Sequence, residues 1–318
     1  MRVLVTGATG FLGHRCMQVL ADQGFYPIAT GRQAARAPKG FEFVPADLSH
    51  EATLEALPRV EAVVHCAARS SPWGRRQDFE RDNIQATANL LRWAEATGVA
   101  RFVHISTPAL YFDFRDQFDV GEDAPQKRPI NLYAETKARA EQLVQDSPLS
   151  TVILRPRAIY GPGDTALLPR LEQAIAAGPL PLLRDGAART NLTHVDDVCS
   201  AIALALSFND NFSVFNIAGH EVIKLMSLVE KIAKYKDLKL RWRALPTPLV
   251  LGAAKGLEWG YRGLGLPGEP RFTQYSAGIF AFSLTLSTDR AKRELGWSSK
   301  VSIDQGVEST LGMQERSK

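Results

Sequence analysis

Residues 3–13 read Val-Leu-Val-Thr-Gly-Ala-Thr-Gly-Phe-Leu-Gly, and this run indicates the architecture more strongly than any other part of the sequence. A short apolar strand leads into three glycines at intervals of three residues, and a helical pattern follows. Gly7 permits a tight turn, Gly10 lets backbone N–H groups approach a pyrophosphate, and Gly13 allows the helix to pack closely on the sheet. Because a helix N-terminus also attracts negative charge, the run predicts a dinucleotide-binding turn.

Short apolar or β-branched runs alternate with helical patterns through the first half of the chain. The predicted strands are residues 3–6, 27–30, 41–45, 62–65, 101–106 and 151–155. Strands that alternate with helices imply right-handed βαβ units and a parallel sheet buried on both faces. We therefore predict an α/β fold, a doubly wound parallel sheet of Rossmann type, mainly in residues 1–161. A smaller C-terminal substrate-binding lobe is expected mainly in residues 162–318, with some of its segments returning to the sheet.

Composition and charge exclude several classes of protein. With 45% hydrophobic and 23% charged residues among 318, the chain is not generally disordered. The formal net charge is only +4 and no Lys/Arg run clusters with aromatics, so no nucleic-acid partner is expected. Cys16, Cys66 and Cys199 lack any metal-ligand spacing, which favours a reduced setting and no metal. The first residues contain no apolar run of signal-peptide length, so we expect a cytoplasmic protein.

The longest stretch of low charge is residues 245–266, which prolines and charged residues interrupt. Such a stretch is too broken to span a bilayer. Its apolar part, residues 249–266 with Trp259 and Tyr261, would suit a lid over a hydrophobic substrate or a peripheral contact with a membrane. An ordinary packed helix is the alternative.

The end of the second strand bears on the choice of cofactor. A carboxylate at that position binds a ribose 2′-hydroxyl and repels a 2′-phosphate. Here the strand ends in Ala-Thr-Gly and is followed by Arg32, with Arg36 close behind. Guanidinium groups suit a phosphate in charge and geometry, so NADP(H) is predicted in preference to NAD(H). Alternatively, Arg32 is a solvated loop residue that gives little preference.

A second motif concerns proton transfer. Tyr133 and Lys137 lie four residues apart, on one face of a predicted helix. A phenol with a pKa near 10 is a poor base at neutral pH, but a neighbouring ammonium and a positively charged nicotinamide ring both favour the phenolate. The strand before this helix ends in Ser106-Thr107 and supplies two hydroxyl groups that could orient a carbonyl. This combination predicts general acid–base chemistry.

With these motifs the chain resembles an extended short-chain dehydrogenase/reductase of the NAD(P)-dependent epimerase/dehydratase family, over almost its whole length. Further segments similar to family motifs are Asp47-Leu48, His65-Cys66-Ala67-Ala68, Asn83, Leu154-Arg155-Pro156, the run 160–164 and His194-Val195-Asp196-Asp197.

The resemblance implies roles for individual residues. It implies that Tyr133 is the acid/base, that Lys137 lowers its pKa and binds the nicotinamide ribose, and that Thr107, rather than Ser106, orients the substrate. Asn83 either orders the site or only bridges backbone groups. The predicted cofactor-binding residues are Gly7, Thr9, Gly10, Phe11, Leu12, Gly13, Arg32, Asp47, Leu48, Ala67, Asn83, Tyr133, Lys137 and Pro156.

Departures from the family pattern bear on the reaction. Nucleotide-sugar enzymes of the family typically carry Asn three residues after Arg155, where this chain has Ala158, and tend to carry Arg where it has Thr190. The segments 266–273, 284–287 and 291–297 are instead similar to the 3β-hydroxysteroid dehydrogenase and sterol-4-carboxylate dehydrogenase branch. That branch implies hydride exchange between a secondary alcohol and a ketone on a sterol-like or β-keto-acid-like molecule.

Three residues, Trp73, Tyr111 and Arg157, are candidates for contact with a small hydrophobic substrate, and the two aromatic rings would narrow and dry the pocket. Trp73 could instead fill the core. Two other functions stay open, a nucleotide-sugar epimerase/dehydratase and a non-catalytic NADP-sensing module. The resemblance also implies a homodimer through the helices near residues 78–97 and 133–146.

Overall fold

A computed structural model of the protein describes residues 1–266, 268–270 and 272–316. Pro267 and Arg271, which belong to one of the segments that resemble the sterol dehydrogenase branch, lie outside the described residues.

The described residues form fifteen strands and twelve α-helices. The strands are β1 (Arg2–Thr6), β2 (Tyr26–Gly31), β3 (Phe43–Pro45), β4 (Ala62–His65), β5 (Arg101–Ile105), β6 (Gln117–Val120), β7 (Thr151–Pro156), β8 (Ile159–Tyr160), β9 (Leu180–Leu182), β10 (Arg189–Asn191), β11 (Thr193–His194), β12 (Phe212–Ile217), β13 (Val222–Lys224), β14 (Trp242–Ala244) and β15 (Leu284–Leu286). The helices are α1 (Phe11–Asp22), α2 (Glu51–Leu54), α3 (Arg76–Phe79), α4 (Ala86–Thr97), α5 (Leu132–Gln145), α6 (Leu168–Ala177), α7 (Val195–Leu206), α8 (Leu225–Tyr235), α9 (Thr247–Gly263), α10 (Gln274–Ala281), α11 (Asp289–Glu294) and α12 (Ile303–Arg316).

Seven strands form the central sheet in the order β12-β7-β5-β4-β1-β2-β3, and every neighbouring pair is parallel. The strand order reverses at β1, so a crevice opens beyond the carboxyl ends of β1 and β4, where such sheets bind ligands. The predicted doubly wound sheet of Rossmann type is therefore confirmed.

Both faces of this sheet are buried, as parallel strands require. On β1, Val3 and Val5 pack in the cluster that contains Val198 of α7, whereas Leu4 packs on the opposite face in the cluster that contains Leu90 of α4. The alternation follows from the two-residue period of a strand. Because β1 is held between these two clusters, the glycine turn that follows it has a fixed position at the crevice.

The later part of the chain contributes to both the central sheet and a smaller assembly. Strand β12 pairs with β7 at the edge of the central sheet. A second sheet has the order β13-β10-β15-β6, so β6, from the first half of the chain, joins strands from the second half. Helices α6, α8 and α12 enclose a separate apolar cluster that includes Leu168, Leu228 and Leu311.

Helix α9 is packed on one side only. Val250 and Ala254 are buried, whereas Leu249, Trp259 and Leu264 are 64%, 66% and 76% exposed. Its buried side makes it an ordinary packed helix, which was one alternative from the sequence, and its other side leaves apolar side chains exposed. Within the described part of the chain, no helix has both the length and the apolar character needed to cross a bilayer.

Asp197 connects the start of α7 to the C-terminal segment. Its carboxylate accepts hydrogen bonds from the backbone N–H groups of Lys300, at 2.9 Å, and Val301, at 3.2 Å. Its carbonyl accepts one from the indole of Trp297 at 2.9 Å. The neighbouring Asp196 is half exposed and pairs with Arg15. Asp197 therefore has a structural role.

Replacing Asp197 with Ala should lower the free energy of unfolding by about 2–4 kcal/mol, because two backbone N–H groups lose the charged acceptor that the buried Asp197 side chain provides. Asp196→Ala, which removes a partly exposed ion pair, should cost about 1 kcal/mol or less. Urea denaturation of both variants measures the difference. Equal losses would contradict the structural role given to Asp197.

Candidate active site

The glycine turn after β1 leaves no room for side chains. Gly7 has a φ of +65°, and a Cβ there would lie 2.8 Å from the Cα of Ala67. A Cβ on Gly13 would lie 2.4 Å from the carbonyl oxygen of Gly7. Helix α1 starts immediately afterwards, and Gly10, its N-cap residue, offers no side chain to its first N–H groups. These N–H groups are left for an anion, so the turn fits a dinucleotide pyrophosphate.

Three other residues predicted to bind cofactor differ in exposure and in the contacts of their side chains. Arg32 follows β2 with its side chain 56% exposed, and its Nη1 lies 3.4 Å from Oδ1 of Asp82. The Asp47 carboxylate accepts from the hydroxyl of Ser49 at 2.8 Å. Leu48 is buried in the core, so its side chain is turned away from solvent.

A chain of buried polar groups starts at the glycine turn. The Thr6 hydroxyl lies 2.8 Å from Nδ1 of His65, and Nε2 of His65 lies 3.0 Å from the hydroxyl of Thr87. Thr6 also accepts from the N–H of Ala67 at 3.1 Å. Burial lowers the pKa of His65 to about 3, so the ring is neutral. His65 belongs to a segment that is similar to a family motif, but the sequence predicts no role for it.

Asn83 continues this chain to α5. Its Oδ1 accepts from the N–H of Arg69 at 2.7 Å, and its Nδ2 donates to the hydroxyl of Thr136 at 2.9 Å. Thr87 donates to its carbonyl at 2.7 Å. Asn83 therefore bridges backbone groups and also fixes the position of α5, so both sequence interpretations of this residue describe part of what it does.

Tyr133 and Thr107 meet at the carboxyl edge of the sheet. Thr107 follows β5, and its oxygen accepts from the N–H of Ala109 at 3.2 Å. Its hydroxyl also lies close enough to the phenol of Tyr133 to lower the pKa of that phenol. Burial raises the pKa of Tyr133 to about 12, although the nearby hydroxyl of Thr107 opposes this. The phenol therefore keeps its proton at neutral pH in the absence of other charges.

The adjacent Ser106 differs from Thr107. Its backbone N–H donates to Leu154 across the sheet at 2.7 Å, while its hydroxyl oxygen is buried without a hydrogen-bond partner. The strand end is thus held by the backbone of Ser106 and not by its side chain. Thr107, which contacts Tyr133, has the position expected of the orienting hydroxyl.

Lys137 lies one turn after Tyr133 on α5, with its amine buried under the sheet edge. The amine donates to the carbonyl of Ile105 at 2.7 Å and lies 3.0 Å from Nε2 of His104. Burial lowers the pKa of Lys137 to about 8, which the charge of Glu141 opposes. Burial, followed by the charge of Lys137, lowers the pKa of His104 well below its usual value. No sequence motif indicates His104, because only the packing of α5 against β5 brings its ring to the amine.

Trp73 lines a cavity of about 720 Å³. Leu132, the residue before Tyr133, also lines it, so the cavity adjoins the acid/base candidate. On the far side, the ring of Tyr261 meets Trp73 edge-on with centroids 6.3 Å apart, and the guanidinium of Arg262 stacks 4.9 Å from the Trp73 centroid. Trp73 is therefore a wall of an open cavity and does not fill the core.

Tyr111 lies elsewhere. Its side chain is completely buried, and its hydroxyl donates to Oδ1 of Asn216 at 3.2 Å and accepts from Arg155. Arg155 in turn forms a buried ion pair with Glu141, with N–O distances of 2.9 and 2.6 Å. The structure corrects the expectation of substrate contact, because Tyr111 belongs to this buried network and has no exposed surface.

Arg157, the third substrate candidate, is only 7% exposed and follows Pro156 at the end of β7. Its Nε is buried without a hydrogen-bond partner, and the nearby phenol of Tyr275 opposes the lowering of the Arg157 pKa by burial. Tyr275 also faces Tyr133, whose pKa it helps to raise.

Among residues 1–266, 268–270 and 272–316, no cluster of three His, Cys, Asp or Glu residues could hold a metal ion.

Comparison with known proteins gives a consistent result. A 4-hydroxy-2-methyl-3-oxo-4-farnesyl-3,4-dihydroquinoline-1-oxide ketoreductase of Stigmatella aurantiaca is 30% identical, over 97% of this chain and 95% of that protein. A 2-alkyl-3-oxoalkanoate reductase of Stenotrophomonas maltophilia is 31% identical, over 96% and 97%. A decarboxylating sterol-4-alpha-carboxylate 3-dehydrogenase of Saccharomyces cerevisiae is 26% identical, over 98% and 97%.

Among solved structures, a UDP-glucose 4-epimerase of Thermotoga maritima aligns over 100% of this chain and 99% of its own, with a TM-score of 0.78 and 23% identity. At that identity the likeness shows the fold alone. The model of the NAD dependent epimerase/dehydratase family matches residues 3–218. The chain therefore belongs to the NAD-dependent epimerase/dehydratase family of extended short-chain dehydrogenases/reductases, as its motifs predicted, and it is an enzyme of the oxidoreductase class.

Proposed function

We propose that this enzyme interconverts a secondary alcohol and a ketone on a hydrophobic substrate, with Tyr133 as general acid/base. The observation that carries the proposal is the proximity of the Thr107 and Tyr133 side chains at the end of β5, where the amine of Lys137 is also fixed. It brings two hydroxyl groups together at the edge of the sheet where the glycine turn also lies. Two converging hydroxyls are suited to hold one carbonyl oxygen and to protonate it.

Each residue of the site has a defined task in this reaction. When bound, the nicotinamide cofactor supplies the hydride for reduction or accepts it in oxidation. The turn at residues 7–13 would hold its pyrophosphate. Thr107 orients the substrate oxygen, and Tyr133 donates a proton to it in reduction or takes the proton back in oxidation. The buried ammonium of Lys137 makes the local potential more positive, which favours the phenolate when Tyr133 has to act as a base.

A hydrophobic substrate is supported by the cavity beside Tyr133. Trp73, Leu132, Tyr261 and Leu266 give it apolar walls, and the charged residues Arg75, Arg76, Asp78 and Arg262 also line it. Apolar walls are typical of small-molecule sites, in which polar groups fix the orientation of the ligand. The relatives named as a ketoreductase, a 2-alkyl-3-oxoalkanoate reductase and a sterol dehydrogenase also support carbonyl chemistry on substrates with large apolar parts.

A nucleotide-sugar reaction has less support. Thr190, at the position where such enzymes tend to carry Arg, is buried and donates to the carbonyl of Asn191 at 3.0 Å. Ala158, at the position where such enzymes typically carry Asn, has no side-chain amide to bind a diphosphate. A non-catalytic sensing module would not need the contact between Thr107 and Tyr133. We therefore propose the dehydrogenase/reductase in preference to both.

We also propose that the enzyme prefers NADP(H) to NAD(H). Arg32 is exposed directly after β2, and Arg36 is exposed in the following 3-10 turn, Ala34–Arg36. No carboxylate residue follows β2 at the position that would repel a 2′-phosphate. The nearby Asp82 does not fully neutralise the charge of Arg32, because the same carboxylate also pairs with Arg69 at 2.9 Å.

Tyr133→Phe should leave cofactor affinity unchanged and lower turnover about 10²- to 10⁴-fold, because it removes only the proton donor. A cofactor-coupled absorbance screen of hydrophobic ketones, sterols and β-keto acids, beside sugar nucleotides, supplies the substrate. Tyr26→Phe, at an exposed position on β2, is the matched control. Near-normal turnover in Tyr133→Phe would exclude the phenol as the principal acid.

The free energy of unfolding should rise by roughly 1–3 kcal/mol between pH 8 and pH 10. Folding lowers the pKa of Lys137 from 10.5 to about 8, so in this window the unfolded chain binds more protons than the native protein. Lys137→Met should lack this rise, whereas Lys39→Met, at an exposed position, should keep it. Denaturant titrations at several pH values measure it, and a rise that persists in Lys137→Met would refute the assignment.

Arg32→Ala should weaken NADP⁺ binding roughly ten- to hundredfold and change NAD⁺ binding little, because a 2′-phosphate loses a charge-assisted partner. Titrations that follow tryptophan fluorescence measure both affinities, with Arg59→Ala, at the opposite edge of the sheet, as control. Equal affinity of the unmodified protein for the two cofactors would overturn the preference.

A further inference from the structure

Arg157 is held at the edge of the sheet that carries the site. Its N–H donates to the carbonyl of Ile217 at 2.8 Å, and its carbonyl accepts from the hydroxyl of Thr193. The backbone is thus fixed on both sides as it leaves β7. Because β5 and β7 are parallel neighbours, the residues after β7 and Thr107 after β5 lie at the same edge.

The guanidinium of Arg157 is buried without a counter-ion. Arg155, two residues earlier, is equally buried, and it has Glu141 as a bidentate partner at 2.9 and 2.6 Å. In the described part of the chain, no carboxylate forms an ion pair with Arg157, and its Nε has no hydrogen-bond partner. A buried charge without a counter-charge is strongly destabilising. The comparison with Arg155 indicates that the missing anion comes from outside the protein.

A neighbouring phenol connects Arg157 to the acid/base. The phenol of Tyr275 lies near both the guanidinium and Tyr133, and it affects the pKa of each group. The Tyr275 ring packs edge-on against Phe112, with centroids 6.0 Å apart. Thr107, Tyr133, Tyr275 and Arg157 therefore form a continuous row along the edge of the sheet. An anion bound to Arg157 would lie close to the oxygen that Tyr133 protonates.

We propose that Arg157, positioned by Tyr275, binds a carboxylate of the substrate, so that the enzyme selects β-hydroxy and β-keto acids over neutral alcohols and ketones. This inference rests on the proposed dehydrogenase/reductase function and adds a residue that determines specificity. The planar fork of a guanidinium matches the two oxygens of a carboxylate. A carboxylate bonded to the carbon next to the reacting carbon would place both groups on the row described above.

The test compares 3-hydroxydecanoate with its methyl ester, which lacks the negative charge and carries one additional methyl group. In the unmodified enzyme, kcat/KM for oxidation should be roughly ten- to hundredfold higher for the acid, as expected for a hydrogen bond to a charged group. Arg157→Gln should lose this advantage, because its kcat/KM for the acid should fall far more than its kcat/KM for the ester. Arg157→Lys, which keeps the charge but not the fork, should recover part of it. Arg59→Gln, which removes an exposed arginine far from the site, should behave like the unmodified enzyme.

A second measurement needs no turnover. Calorimetry should show that decanoate binds more tightly than decanol, and that Arg157→Gln removes the difference. Thermal melting shows whether each variant folds. If Arg157→Gln does not fold, Tyr275→Phe removes only the hydroxyl near the guanidinium and should weaken decanoate binding several-fold.

The two measurements separate the two claims. If the acid and the ester are oxidised equally and Arg157→Gln changes neither, the carboxylate subsite is wrong and the proposed function stands. If neither compound is oxidised but decanoate binding depends on Arg157, the proposed reaction is wrong and the subsite stands. Equal binding of decanoate and decanol to the unmodified protein would overturn the inference directly.

Discussion

The hydrogen bond from the Lys137 amine to the carbonyl of Ile105, 2.7 Å long, sets the geometry of the whole site. It ties α5 to the end of β5 at the point where the same amine also contacts His104. Tyr133 lies one helical turn before that point and Thr107 lies two residues beyond it, so the bond determines where their hydroxyl groups meet. Desolvation makes the arrangement costly for the ammonium, whose pKa falls to about 8. The neutral ring of His104 limits this cost by offering a second acceptor.

A polar chain beneath the crevice connects the cofactor turn to the same helix. It runs from Thr6 through His65 and Thr87 to Asn83, which reaches Thr136 on α5. Each member is buried and hydrogen-bonded, so moving one group would leave another unsatisfied. The turn that would hold a pyrophosphate and the helix that carries the acid/base are therefore fixed to one another through side chains as well as through the sheet.

Local spacing was sufficient to predict the glycine turn and the pair of Tyr133 and Lys137, because each depends on residues close together in one element. The predicted helix near residues 78–97 is not a regular α-helix throughout, since a π-helical segment, Glu80–Gln85, separates α3 from α4 and points Asn83 inward. His104 and Tyr275 could not be found from the sequence, because only the packing of α5 and α10 brings them to the site. Tyr111 was misplaced because proximity to Thr107 along the chain does not reveal a side chain turned into the core.

Titration of the Tyr133 phenol tests the central claim most directly. Tyrosinate absorbance is followed from pH 8 to pH 11, with and without NADP⁺, and the Tyr133→Phe signal is subtracted. Without cofactor the difference should show no ionisation, because the pKa is about 12. With NADP⁺ bound, the positively charged nicotinamide ring should lower that pKa into the measured range. A difference signal that is the same with and without NADP⁺ would contradict the account.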